Sequence, residues 1–109
     1  MSPADARLAM SLAACARTVA MQVRVNALEP RHVARLVELC SLAAHLRCPI
    51  VGPALILCGT WHQDRSADLT QLADHLDVVV LEFTGIPSPS TILDHIDEES
   101  VWRDLGGLR

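Results

Sequence analysis

Two short, unbroken apolar runs, Ala54-Leu-Ile-Leu-Cys58 and Val78-Val-Val-Leu81 with Phe83 beyond it, constrain this chain more than any other feature. A run of this length bounded by turn residues reads as a strand covered on both faces. Gly59 closes the first run, and Gly85 with Pro87 and Pro89 closes the second. Around them the spacing is helical. Ser2 and Pro3 precede Leu8, Leu12, Cys15, Ala16 and Val19, which predicts a capped amphipathic helix from Pro3 to about Ala20. Val33, Leu36, Val37, Cys40, Ala43 and Ala44 repeat that period from Pro30 until Pro49 forbids continuation. Ser66 stands as the cap of a third helix with Leu69, Leu72, Ala73 and Leu76 on its inner face.

Val19, Met21, Val23 and Val25 alternate with Ala20, Gln22, Arg24 and Asn26, a strand pattern that the first helix could equally absorb. After Ser90 or Thr91, the positions of Ile92, Leu93, Ile96, Val101, Trp102 and Leu105 predict a closing helical segment, ended by Gly106 and Gly107. The order of elements predicts an α/β fold: one domain over residues 1–109, with helices packed in two or three layers on a short parallel sheet. The alternative is an all-α bundle in which both apolar runs are central helices, because periodicity alone cannot assign runs this short.

Half of the 109 residues are apolar and a fifth are charged, enough for one hydrophobic core and too apolar for a disordered chain. The net charge of -4 and nine scattered arginines, with no lysine, argue against a phosphate-tracking surface, so no nucleic-acid partner is expected. No apolar stretch approaches the roughly 20 residues needed to cross a bilayer, so no membrane partner is expected either. Cys15, Cys40, Cys48 and Cys58 lie 25, 8 and 10 residues apart, each in apolar sequence. That is the pattern of core packing rather than of a zinc module. Reduced thiols imply a cytoplasmic setting, and neither a metal nor another cofactor is expected.

In a parallel sheet, ligands gather at the carboxyl edge of the strands. After the first run that edge is Cys58-Gly-Thr-Trp-His-Gln-Asp64, the richest concentration of reactive groups in the chain. A catalytic reading makes His62 a general base oriented by Asp64, with Cys58 or Ser90 as nucleophile. Thr60, Trp61, Ser88, Ser90 and Thr91 are the candidate binding residues. An ordinary solvated loop accounts for the same residues without chemistry. Glycine-rich phosphate loops, nucleophile elbows and HExxH zinc motifs are absent from the sequence.

Residues 54–96 resemble part of a STAS domain through Gly59 and the turn after it, the stretch Ser66 to Leu76, and Val79-Val-Leu-Glu-Phe-Thr-Gly-Ile86 ahead of the loop Ser88-Pro-Ser90-Thr91. The resemblance implies a small bacterial regulator that binds a partner kinase and is switched by phosphorylation at the start of a helix. The loop departs from that family's Asp-Ser-Ser-Gly pattern, and the family's closing strand and helix are not matched. The sequence is therefore read first as a non-enzymatic regulatory or protein-interaction domain, with a protein partner or self-association expected from its apolar surplus. The alternative is a small enzyme or ligand-binding protein using the segment Cys58 to Asp64.

Overall fold

A computed structural model describes residues 2–85, and the protein over that range is helical throughout. Four helices follow one another: α1 (Pro3–Arg24), α2 (Pro30–Ala43, prolonged by a 3-10 turn over Ala44–Leu46), α3 (Val51–Gln63) and α4 (Thr70–Thr84). The expected α/β fold is thereby corrected to an all-helical bundle, since the described residues contain no strand and no sheet.

Each presumed strand is part of a helix for an identifiable reason. Val19 to Val25 prolongs α1, whose buried positions Leu12, Ala13, Ala16, Val19 and Ala20 keep the helical step to its last turns. Ala54 to Cys58 is the middle of α3, which buries Ala54, Leu57 and Cys58 at steps of three and one. Pro53 lies in the first turn of that helix, where the missing N–H costs no hydrogen bond. Val78 to Phe83 is the second half of α4, where Ala73, Leu76, Asp77 and Val80 form the buried stripe. Val78 is 51% exposed, so the valine run is not covered on both faces, and tertiary packing overrides its strand propensity.

The ends are set by local chemistry. Ser2 Oγ accepts a hydrogen bond from the Asp5 backbone N–H at 3.1 Å, with Pro3 at the first helical position, as the sequence predicts. Asn26, with φ of 54°, turns the chain out of α1, and Gly85, with φ of 72°, closes α4 by donating its N–H to the Leu81 carbonyl. Ser66 is not the cap of the third helix. Asp64 Oδ1 accepts from both its N–H and its hydroxyl, at 2.9 and 2.6 Å, while Asp68 receives the Thr70 N–H at 3.0 Å and starts α4 there.

The helices run alternately up and down in a closed ring. His45, beyond α2, reaches Asp5 at the start of α1 at 3.4 Å. At the other end of α1, Gln22 meets His32 in the first turn of α2 at 2.7 Å. α1 also packs on α4, and α3 lies between α2 and α4. Leu12, Leu36, Ile50, Leu57, Leu76 and Val80 fill the centre. Alanines at 9, 13, 16 and 20 let the neighbouring helices approach α1 closely.

One ion-pair cluster fastens the first helix to the last. Arg24, in the final turn of α1, donates to Asp74 Oδ1 from Nε at 3.1 Å and from Nη2 at 2.6 Å, and its Nη1 donates to Asp77 Oδ2. The Asp77 carboxylate is buried, and its Oδ1 has no hydrogen-bond partner among the described residues. Removing the guanidinium leaves that charge in the core without compensation. Arg24→Met should lower the unfolding free energy by about 3–5 kcal/mol in urea denaturation. Arg24→Met combined with Asp77→Leu should recover most of that loss. A double variant no more stable than the single one would show that the pair is not what holds α1 against α4.

Candidate functional site

With no sheet there is no carboxyl edge, and Cys58 to Gln63 is not a loop but the second half of α3. The change of element regroups its side chains. On a helix, Leu55, Cys58, Gly59 and His62 share one face at steps of three and four. Pro30, Val33, Ala34 and Val37 share a face of α2 by the same rule. The two faces flank a groove with a volume of about 610 Å³, lined by these eight residues together with Trp61 and Arg65.

The groove is apolar along most of its length. Val37 and Leu55 are 38% and 44% exposed, so its apolar lining stands open to water. Polar chemistry is confined to the end formed by the last turn of α3, where His62 and Arg65 lie. The Arg65 guanidinium stacks on the Trp61 ring, 3.7 Å from its centre, which fixes the position of both side chains. On the far side of this stacked pair lies a second, polar cleft of about 360 Å³, bounded by Arg24, Asn26, Ser66, Asp68 and Thr70 from the end of α1 and the start of α4. Trp61 and Arg65 line both spaces.

The sequence-predicted residues separate into two groups. Cys58, Trp61 and His62 come together on the groove. Asp64 does not join them as an orienting carboxylate. Its hydrogen bonds from the Ser66 hydroxyl and N–H hold it below the usual carboxylate range and commit it to the α3–α4 turn. The Thr60 hydroxyl donates to the Ile56 carbonyl at 2.8 Å, along α3. Ser88, Ser90 and Thr91 lie outside the described residues. Val33, Val37, Leu55, Gly59 and Arg65 escape the sequence reading, although the steps from Leu55 to His62 mark them once that stretch is read as helix.

The setting of Cys58 favours the protonated thiol. Burial, then the neighbouring Cys15, pushes its thiol up to about 11. Cys40 lies deeper in the same core, and burial together with the other three thiols raises it to about 12. Burial also raises Cys15, whose Sγ donates to the His32 carbonyl at 3.8 Å. All four cysteines are free thiols. Among the described residues, no three His, Cys, Asp or Glu side chains stand close enough to hold a metal ion, and no helix is long and apolar enough to cross a membrane.

These thiols give the fold an alkaline limit. Unfolded cysteines ionise near 9.0, whereas folded Cys40 and Cys58 keep their protons to about 12 and about 11. Above pH 9.0 the unfolded chain therefore releases protons that the folded chain retains. The stabilisation is complete below the unfolded value and is lost as pH rises toward the folded ones. The chain has no lysine and no tyrosine to mask the effect. Urea midpoints should fall steadily from pH 9.0 upward, and Cys40→Ala with Cys58→Ala should flatten that slope. An equal slope in both proteins would mean that the thiols ionise as freely in the fold as outside it.

The chain matches no protein-family model, no curated protein and no solved structure, so the chemistry of the groove is what bears on its function.

Proposed function

We propose that this protein is a binding module that takes an apolar organic molecule in the groove between α2 and α3. One observation carries this reading: an open apolar groove of about 610 Å³ whose polar side chains, among the described residues, stand at one end. Small-molecule sites are commonly about 300–1,000 Å³, mostly apolar, with a few polar groups that fix orientation. Catalysis finds less support, because the thiol on the groove is protonated and Asp64 is engaged elsewhere.

Gly59 offers a test that leaves the core alone. A Cβ built there meets no atom within 4 Å, so a larger side chain enters the groove rather than the packed interior. Gly59→Phe should keep the helical spectrum and leave the urea midpoint no lower. Binding of the neutral fluorophore N-phenylnaphthylamine, saturable in the native protein, should weaken roughly tenfold, a change of about 1.4 kcal/mol. Absence of saturable binding to the native protein would overturn the reading, as would equal binding to a folded Gly59→Phe variant.

A second reading, self-association, is favoured by the outer side of α3. Ile56 is 59% exposed beside Leu55, and isolated apolar exposure of this kind becomes significant when it is contiguous. If two copies join through this side, sedimentation should show a concentration-dependent dimer that Ile56→Asp disperses. A monomer at every concentration would remove this reading.

A further inference from the structure

Resting on the groove as a binding site, the arrangement of charge around it specifies what kind of molecule it takes. Among the described residues, the titratable side chains on the groove are Cys58, His62 and Arg65, and no carboxylate lines it. Arg65 has no carboxylate partner among the described residues, as is true of Arg7 and Arg47, but of these it is the one that lines the groove. Its guanidinium is held over Trp61, at the boundary where the apolar groove meets the polar cleft. A weakly hydrated, planar cation fixed in this way presents its N–H groups to a planar anion with little further loss of freedom.

We propose that the ligand is a free aliphatic carboxylate, its chain lying between α2 and α3 and its head group received by Arg65 at the rim shared with the polar cleft. The apolar walls at Val33, Val37 and Leu55 shed water around the chain, and the position of Arg65 sets which end of the molecule points toward α4. A neutral chain of equal length gains the first contribution without the second. A cationic chain meets Arg65 as a like charge.

Calorimetric titration of the full-length protein with decanoate, decanol and decylammonium separates these contributions. Decanoate should bind roughly tenfold or more tightly than decanol, and decylammonium more weakly than either. Arg65→Met should bring decanoate down to the decanol affinity while leaving decanol unchanged, and Arg65→Lys should restore part of the difference. Equal binding of decanoate and decanol to the native protein would overturn the carboxylate assignment and leave the apolar groove standing. Failure of all three to bind would overturn both. A dimer that must dissociate before decanoate can bind would assign the groove to a second copy and overturn the proposal. Decanoate binding that appears only after Leu93→Ser and Ile96→Ser would assign the groove to the chain's own C-terminal residues, with the same consequence.

Discussion

Arg24 closes the ring of four helices. It reaches from the last turn of α1 to Asp74 and Asp77 on α4, residues 50 and 53 positions further along the chain. Hydrophobic burial drives the four helices together without direction. A buried carboxylate that must meet one guanidinium does have direction. Pairing at that point fixes how far α4 slides along α1. Since α3 packs on α4 as well as on α2, the same register sets the position of α3 beside the first turns of α2. The groove lies between α2 and α3, and its polar end is separated from the cleft beside Arg24 only by the stacked Trp61 and Arg65.

Helices α1 and α2 are legible in the sequence because amphipathic period, proline and, for α1, a capping serine all agree. The first half of α4 is legible too, with Leu69, Leu72, Ala73 and Leu76 on its inner face, but its second half and α3 are not. In a window of five residues, Ala54 to Cys58 presents apolar groups on every side, and a helix and a buried strand look alike there. Only the longer stretch to His62 distinguishes them. Cys58, Gly59 and His62 continue the steps from Leu55, while a strand would have had to end at Gly59. The valines of α4 mislead for a different reason. Strand propensity is weak against burial, and Leu76 and Val80, four residues apart, are both fully buried. Ser66 is drawn away from a capping role by Asp64, two residues earlier, a competition between side chains that residue type alone does not reveal. The same bond engages Asp64 Oδ1 within the turn, so what separates it from the Cys58, Trp61 and His62 group is local rather than a long-range rearrangement.

Burial and exposure meet along α3, and they divide its chemistry. One side carries Ala54 and Leu57 into the core, with Cys58 at the border between that core and the groove face and its thiol kept protonated by burial. The other carries Leu55 and Ile56 to water. An ordinary surface helix places charged residues on that outer side, but α3 has no Asp, Glu or Arg at all between Val51 and Gln63. Solubility at this seam is left to the flanks, to Arg31, Arg35 and Glu38 on α2 and to Arg65 just beyond α3. An apolar flank rimmed by polar groups is the general form of a surface meant to be covered. The stacked Arg65 gives this flank a positive end, which an unspecific apolar patch lacks.

Gly59 lies where that flank is most open. A glycine inside a helix costs about 0.5–1 kcal/mol relative to alanine, because the unfolded chain has more freedom to lose. That cost is ordinarily repaid where the backbone needs a positive φ or where a neighbour approaches too closely for a Cβ. Neither holds here. Gly59 has no positive φ, and a Cβ at that position meets nothing within 4 Å. Packing and conformation thus give no reason to forgo a side chain, while the open space beside Gly59 is the groove itself. Any side chain would narrow the groove just where its apolar walls approach His62 and Trp61. Gly52, in the first turn of the same helix, has equally open surroundings and does not line the groove, so what singles out Gly59 is its place on the groove wall, where a side chain would compete with a ligand.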